Sequence, residues 1–367
     1  MTEPGSAVDD GGEFQIEGLE PPTPGGWKDY PLDELAIRDE RRTAVDVVRR
    51  IDKGRFVLDP EFQRDFVWNG KKQSRLIESI LMRIPLPVFY VAEDSEGRLV
   101  VVDGRQRLTT LQRFLTGSLS LELPDRPELH KKHFTDLDDR LQNRVEDCQL
   151  LFYIIDTSVP EQARLDIFER VNGGEVLTRQ QMRNALYNGP ATAFLRDESR
   201  TSIFIEATGS SLKPGIMQDR EFVNRFCSFS LLPIEAYKGD WDDWLKQGLI
   251  ELGKRSDADR QKLSQKFRTA LKNNYEVFGK HAFRKHRNPF DRRSLINASL
   301  FDVMTYYMAD VAEGDAAAKA QLLRDKFQTL IIDDDFVKSI TFGTNAPARV
   351  KARFDLAEKM FQEVFGA

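Results

Sequence analysis

Apolar residues recur along the first half of the chain with two spacings, one typical of helices and one of strands. Helical spacing marks residues 43–51, 71–83, 160–170 and 179–187. Thr43 and Thr178 stand where N-caps are expected for the first and last of these helices. Short β-branched or aromatic runs predict strands at residues 56–58, at 88–91, in a run ending at residue 103, and at 149–156. Together these elements predict a small α/β domain.

The remainder of the chain has a different pattern. From about residue 190 onward nearly every segment has helical periodicity, clearest at residues 220–232, 260–278, 294–312, 316–330 and 349–365. Residues 1–28 are rich in Gly, Pro and acidic residues and poor in branched apolar ones, which is typical of disorder. We therefore predict the α+β class, with a disordered acidic tail at 1–28, an α/β domain at 29–190 and a helical domain at 191–367.

Composition limits the class of protein. The 367 residues, 40% hydrophobic and 31% charged, fit a soluble globular chain with two domains, or with one large domain and an appendage. A net charge of -5 argues against a uniformly basic nucleic-acid-coating protein but permits a local basic site. Cys148 and Cys227 are expected to be buried free thiols in a reducing compartment. No run reaches the roughly 18 apolar residues of a membrane span, and no signal-peptide pattern is present, so we expect a cytoplasmic protein without a membrane partner.

The strongest candidate for chemistry is the stretch VVVDGRQRLTTL at residues 100–111. A strand stops at Asp103-Gly104, and Arg105, Gln106 and Arg107 then open a helix. Backbone N–H groups, the positive end of a helix dipole and two guanidinium groups would meet there, which suits phosphate binding. Alternatively, Asp103 caps the helix, Gly104 makes the turn and both arginines are solvated.

Three further polar clusters lie at loops or helix starts, where functional groups usually project. They are Gln63-Arg64 before Trp68, Arg170 with Asn172-Gly173-Gly174, and Arg179 to Asn184. For the first cluster, Arg64 alternatively pairs with Glu61 or Asp65, and Trp68 is interpreted as a core residue. For the second, Asn172 alternatively adopts the left-handed conformation as a simple helix stop.

Three of these motifs, in this order, resemble the N-terminal domain of GmrSD-type restriction systems: FQRDFVW at 62–68, DGRQRLTTL at 103–111 and FERVNGG at 168–174. The resemblance covers about residues 30–190, with weaker echoes at 283–301 and 343–354. That family has the motif D-G-Q-Q-R and a fold related to ParB and sulfiredoxin. Arg105 departs from it, standing where the family usually has Gln. It loses an amide acceptor and adds charge, so nucleotide selectivity is expected to differ.

The resemblance implies binding and hydrolysis of an NTP within a system that restricts foreign or modified DNA. Arg105 and Arg107 would neutralise phosphate charge, and Asp103 would bind Mg²⁺ or orient an attacking water. Asp103 and Arg107 are thus the candidate catalytic residues. The other candidate phosphate-binding residues are Gly104, Gln106, Gln63, Arg64, Arg170 and Asn172.

The densest basic run lies in the second domain, at residues 283–293. Aromatic residues alternate there with cations, as they do in many nucleic-acid contacts. The candidate DNA-binding residues are Arg284, Lys285, Arg287, Arg292 and Arg293. Alternatively the run is a solvated loop before a helix at Ser294. In that case the DNA-facing surface is sought near Lys71, Lys72 and Arg75.

A nuclease site is not expected in this chain. His286-Arg287-Asn288-Pro289 fits H-x-x-P, a signature of the nuclease half of some GmrSD-type proteins, but the chain has only four histidines and we interpret the match as chance. No zinc-like Cys/His spacing and no P-loop is present. We expect an NTPase or sensing component without its own HNH-type nuclease domain, working with a separate nuclease subunit. The alternatives are a non-enzymatic ParB-like module that binds DNA or nucleotide, and a stand-alone ParB-like nuclease.

Overall fold

The computed structural model describes residues 16–19, 37–58, 68–94, 96–159, 161–171, 178–187, 189–287 and 290–366. The chain divides into two compact units. The α/β unit spans Pro22–Asn188, and the helical unit combines Met1–Pro21 with Gly189–Ala367. A mixed sheet followed by a helical C-terminal region confirms the predicted fold class.

A five-stranded mixed sheet forms the centre of the α/β unit. Its strands are β1 (Ile37–Thr43), β2 (Phe56–Val57), β3 (Phe89–Glu93), β4 (Leu99–Asp103) and β5 (Gln149–Ile155). Their order is β1-β5-β3-β4-β2. The β1/β5 and β3/β4 pairs are antiparallel, and the β5/β3 and β4/β2 pairs are parallel. Because Tyr90 pairs with Asp103, the start of β3 lies beside the end of β4.

Helices surround this sheet. They are α1 (Ala44–Asp52), α2 (Gly70–Leu81), α3 (Arg105–Leu115), α4 (Asp139–Glu146), α5 (Glu161–Val171) and α6 (Arg179–Leu186). The first four contribute to one apolar core together with alternate strand residues such as Val101 and Phe152. Thr43 accepts a hydrogen bond from the Asp46 amide at 3.4 Å, and Thr178 forms a capping box with Gln181. Both predicted N-caps are confirmed.

The helical unit is built from ten helices among its described residues. They are α7 (Pro190–Ser199), α8 (Ser202–Thr208), α9 (Gln218–Leu231), α10 (Trp241–Lys254), α11 (Asp257–Phe278), α12 (Ala298–Met308), α13 (Glu313–Ala318), α14 (Ala320–Leu330), α15 (Asp334–Thr341) and α16 (Pro347–Phe365). Phenylalanine rings fill much of the core, and Asp302 accepts hydrogen bonds there from Arg225 at 2.7 and 2.8 Å and from Arg353 at 3.3 Å. This buried carboxylate joins α9, α12 and α16.

Two segments differ from the sequence expectation. β1 was not predicted, because its sequence IRDERRT is mostly charged; as an edge strand it pairs only with β5 and tolerates polar residues. Residues 16–19 were expected to be disordered, yet the Glu17 amide donates to the Ile296 carbonyl at 2.9 Å and the Ala298 amide donates to the Glu17 carbonyl at 3.0 Å. Residues 1–15 and 20–28 lie outside the described residues.

Both cysteines are free thiols, as expected. Cys227 is buried and Cys148 is partly buried, and burial raises the pKa of each thiol. Within the described ranges, no helix combines the length and the apolar character that a membrane crossing requires.

Candidate functional site

The turn between β4 and α3 has a conformation that only glycine accommodates well. Gly104 has φ +102°, and a Cβ atom added to it would lie 2.2 Å from Cδ1 of Phe89. Gly104 is itself the N-cap residue of α3, and no side chain caps this helix. The alternative in which Asp103 caps α3 is therefore wrong. Asp103 is instead the last residue of β4, with 36% of its side chain exposed.

Arg107 is held against the start of β3. Its guanidinium donates to Asp103 Oδ2 at 2.7 Å, to the Val88 carbonyl at 3.1 Å and to the Pro87 carbonyl. The same group lies 4.3 Å from the centre of the Phe89 ring, a cation–π distance. Only 11% of the side chain is exposed, so the alternative of a solvated Arg107 is wrong. Burial lowers the pKa of Arg107, and the neighbouring Asp103 carboxylate opposes that shift.

The two residues between Gly104 and Arg107 are also engaged. Arg105 is buried, which excludes the solvated alternative for it as well. The Oε1 atom of Gln106 accepts a hydrogen bond from the Trp68 amide at 3.4 Å. Trp68 packs against the apolar core, as interpreted from the sequence, and the Lys72 ammonium lies 4.8 Å from the centre of its ring. The motif therefore makes hydrogen bonds both with the chain just before α2 and with the chain just before β3.

The first turn of α3 has the features expected of an anion site. The first N–H groups of an α-helix have no acceptors within the helix, and the helix dipole makes this end positive. Gly104 removes the Cβ atom that would otherwise stand beside the turn. The Asp103 carboxylate places one negative charge directly before this turn, and Arg107 donates to one of its two oxygens.

Other candidate residues are placed less completely. Gln63, Arg64 and Asn172 lie outside the described residues. Arg170 lies in the last turn of α5 and is exposed. The structure therefore brings together Asp103, Gly104, Arg105, Gln106 and Arg107, and the contribution of the other four to this site stays a prediction.

Helix α6 carries a row of buried polar side chains, which the sequence indicated only as part of the polar cluster from Arg179 to Asn184. Arg183 Nε donates to Gln180 Oε1 at 3.1 Å, and Gln180 Nε2 donates to Asn184 Oδ1 at 2.8 Å. All three side chains are buried, and α6 contacts β4, the strand that ends at Asp103. Their i, i+3, i+4 spacing was the available signal, because this face of a helix is ordinarily apolar.

A metal site made by protein groups alone is not supported. No three His, Cys, Asp or Glu side chains converge as metal ligands in the described part of the chain. Mg²⁺ commonly uses only one or two carboxylates together with substrate phosphates. The free oxygen of Asp103 fits that arrangement and would hold Mg²⁺ only together with a bound phosphate group.

The basic run of the helical unit separates into a structural half and an exposed half. Arg284 is only 1% exposed, and its guanidinium donates to four oxygens: the Thr208, Ala282 and Ser294 carbonyls and Ser211 Oγ. Burial and nearby Arg293 lower its pKa to about 10. The expectation that Arg284 contacts DNA is wrong, because the side chain is buried and four of its five N–H donors are already bound to protein oxygens.

The exposed half begins after His286. Arg287, Arg292 and Arg293 are exposed, and Arg293 also donates to the Gly209 carbonyl at 3.1 Å. Phe290, between them in sequence, is 90% exposed. The helix expected from Ser294 begins only at Ala298, because Asn297 accepts from the Leu300 amide as N-cap.

His286 belongs to the core of the helical unit. Its ring stacks on His281 at 4.7 Å and on Phe327 at 5.2 Å, and Nδ1 lies 3.0 Å from the Arg284 carbonyl. Asn288 and Pro289 of the H-x-x-P match lie outside the described residues. A buried, stacked imidazole supports the interpretation that this match is chance.

Comparison with known proteins identifies the α/β unit. Residues 45–188 match the family model for the N-terminal domain of the GmrSD restriction endonuclease. Over this range the α/β unit is similar to the GmrSD N-terminal domain, and the range is called the GmrSD domain below. The match confirms the resemblance seen in the motifs, and the GmrSD domain includes both the turn at residues 103–107 and helix α6. Neither the curated proteins nor the solved structures gave a match to this chain.

Proposed function

We propose that the GmrSD domain binds the phosphates of an NTP at the N-terminus of α3 and hydrolyses the terminal phosphate. The observation that carries this proposal is the uncapped start of α3 at Gly104, directly beside the partly exposed carboxylate of Asp103. The family match supports a role in a DNA restriction or anti-phage defence system, where this chain would be a sensing or regulatory component.

Each residue of the turn has a distinct role in this proposal. The first N–H groups of α3 donate to phosphate oxygens, and Gly104 supplies the φ of +102° at which the chain turns from β4 into this helix. Arg105 adds positive charge. Asp103 orients the attacking water through the oxygen that Arg107 does not hold. Arg107 is then a positioning residue, because its donors are directed to Asp103 and to two carbonyls of the chain before β3.

The remaining contacts extend this site. Gln106, Gln63, Arg64, Arg170 and Asn172 are proposed as further phosphate or nucleotide contacts. Alternatively, the same Asp103 oxygen would hold Mg²⁺ together with the phosphates, and the ion would then neutralise negative charge on the phosphoryl group.

DNA is the proposed macromolecular partner. Arg287, Arg292 and Arg293 are exposed and cationic, as backbone contacts require. Lys285 is proposed as a further DNA contact once its ion pair with Glu17 opens. Cleavage would come from a separate nuclease subunit.

The test is phosphate release by the full chain with each of the four common NTPs, with and without DNA. We expect Asp103→Asn to retain nucleotide binding and to lose turnover, because an amide neither ligates a metal well nor directs a water as a carboxylate does. Asp94→Asn is the matched control, since Asp94 forms an equivalent i, i+4 pair with Arg98 at 2.8 Å in the β3–β4 hairpin.

Three results would count against this assignment. Wild-type turnover in Asp103→Asn would exclude Asp103 from the chemistry. Nucleotide binding without phosphate release by the wild type would favour the non-enzymatic module. DNA cleavage by the purified chain alone would favour the stand-alone nuclease.

A further inference from the structure

The basic run already has an acidic partner within the chain. Residues 16–19, here called the N-terminal strap, lie beside residues 296–298 as a short parallel extension. The Glu17 amide and carbonyl both pair with this segment, at 2.9 and 3.0 Å. Ile296 in turn pairs with Arg284 in antiparallel sense, so three extended segments lie side by side.

The side chain of Glu17 forms an ion pair with Lys285, the first solvent-accessible cation of the basic run. Its Oε1 atom lies 2.5 Å from Nζ of Lys285, which also donates to Thr341 Oγ1. Both members of the ion pair remain partly exposed to solvent. The contact therefore neutralises one cation of the basic run, to which Arg287, Arg292 and Arg293 also belong.

The polar contacts of the strap with the described part of the chain are few in number, and its four residues are only half-buried. Beyond the two backbone hydrogen bonds and the ion pair, the Gly18 carbonyl accepts from Thr344 Oγ1 at 2.9 Å. Partly exposed ion pairs contribute little net stability and weaken with salt. A polyanion that offers several phosphates to the same surface can therefore compete with a single carboxylate.

We propose that the N-terminal strap is an autoinhibitory contact in which Glu17 competes with DNA phosphate for Lys285. DNA binding releases the strap, and Lys285 then becomes an additional backbone contact beside the exposed arginines. This inference rests on the DNA-binding part of the proposed function, but not on NTP hydrolysis.

The test measures the affinity of the full chain for a short labelled DNA duplex as a function of salt. Glu17→Gln removes the competing charge but keeps the shape of the strap. We expect DNA binding tighter by about two- to fivefold, because a partly exposed ion pair no longer has to open, and a salt slope close to that of the wild type, because Lys285 contacts one phosphate in both complexes. In a Lys285→Gln background the same change should have no effect on DNA affinity.

Glu363→Gln is the matched control. Glu363 forms another partly exposed ion pair with a lysine of the helical unit, Lys326, so the change in net charge and in pair type is the same. We expect it to leave DNA affinity and salt slope as in the wild type. Amide hydrogen exchange gives a second readout, because saturating DNA should speed exchange at Ala298, whose amide bonds to Glu17, but not at Asn297, whose amide bonds to Phe283.

The outcomes separate this inference from the proposed hydrolysis. Wild-type DNA affinity in Glu17→Gln, an equal gain in Glu363→Gln, or no DNA binding by any variant would overturn the competition. Hydrolysis of NTP without DNA should be the same in Glu17→Gln and wild type. If the wild type releases no phosphate while Glu17→Gln still binds DNA more tightly, the proposed hydrolysis fails and the strap stands.

Discussion

At the scale of single residues, Arg107 was predicted to contact phosphate, but its contacts in the structure mainly stabilise the turn. Arg107 donates to three oxygens and stacks on Phe89, so its charge is used to fix the turn. An arginine after a turn is withdrawn from solvent when a neighbouring strand offers carbonyl oxygens to which its guanidinium can donate. That information lies in the pairing of β3 with β4, which the local sequence does not contain.

The first prediction follows from this environment. We expect Arg107→Ala to lower the free energy of unfolding by about 2–3 kcal/mol, because it leaves a carboxylate and two carbonyls without their donor. Arg107→Lys keeps the pair with Asp103 but loses the planar fork, so a smaller loss of stability and partial turnover are expected. Urea unfolding and phosphate release of the two variants check this. An unfolding free energy of wild-type size in Arg107→Ala would mean that the guanidinium is not held as described.

Gly104 illustrates what sequence can establish at this scale. Asp-Gly between a β-branched run and a helical pattern predicted the turn correctly. The assignment of the cap to Asp103 was wrong, because Gly104 is the N-cap residue and the Asp103 carboxylate accepts from Arg107 instead. The choice between them depends on the position of the Phe89 ring, a contact distant in sequence.

At the scale of elements, predictions were best where a helix carries its own capping signal. Thr43 and Thr178 mark α1 and α6 within the sequence, and the structure confirms both. β1 has no such signal, since its stability comes from pairing with β5. The helix expected from Ser294 begins later because residues 296–297 pair with Glu17 and Phe283, neither of which is adjacent in the sequence.

The segment after α11 gives an element-scale prediction about pH. Burial lowers the pKa of His286, and neighbouring His281 lowers it further, while the Arg284 carbonyl and Asp291 oppose the shift. The packed neighbours of its ring are His281, Phe278 and Phe327. The unfolded chain therefore binds a proton at His286 more readily than the folded chain does. The contribution of this residue to the free energy of unfolding is full above about pH 6.5 and is lost as the pH falls below that value.

Chemical unfolding of the full chain between pH 7.5 and 5 tests this expectation. Replacing His286 by Phe keeps a stacked ring but removes the titrating group, so the loss of stability toward pH 5 should become smaller. His133→Gln is the control, since His133 is exposed. An unchanged pH dependence in the His286 variant would assign the acid sensitivity to other groups.

At the scale of the whole molecule, the helical unit is assembled from both ends of the chain. Residues 16–19 pair with residues 296–298, while the intervening α/β unit is one continuous stretch. The sequence predicted helical periodicity from about residue 190 onward, and the second stretch of the helical unit begins at Gly189. The N-terminal contribution to the helical unit could not be predicted, because it rests on backbone pairing and one ion pair between residues about 270 to 280 positions apart in sequence.

This division predicts two unfolding transitions rather than one. Gly104→Ala forces a Cβ atom into Phe89 and should destabilise the α/β unit by about 2–4 kcal/mol. Arg284→Met removes the buried donor to four oxygens and should destabilise the helical unit by a similar amount, about 2–4 kcal/mol. For units of this size each change corresponds to roughly 5–15 °C in melting temperature.

Scanning calorimetry of the full chain checks whether the two units unfold separately. We expect Gly104→Ala to lower one transition and Arg284→Met to lower the other, because each substitution acts on contacts within a single unit. Lys326→Gln, which removes only a partly exposed ion pair, should move neither. If both destabilising variants lower one common transition by the same amount, the units unfold as a single cooperative structure. A binding event in one unit would then change the stability of the other.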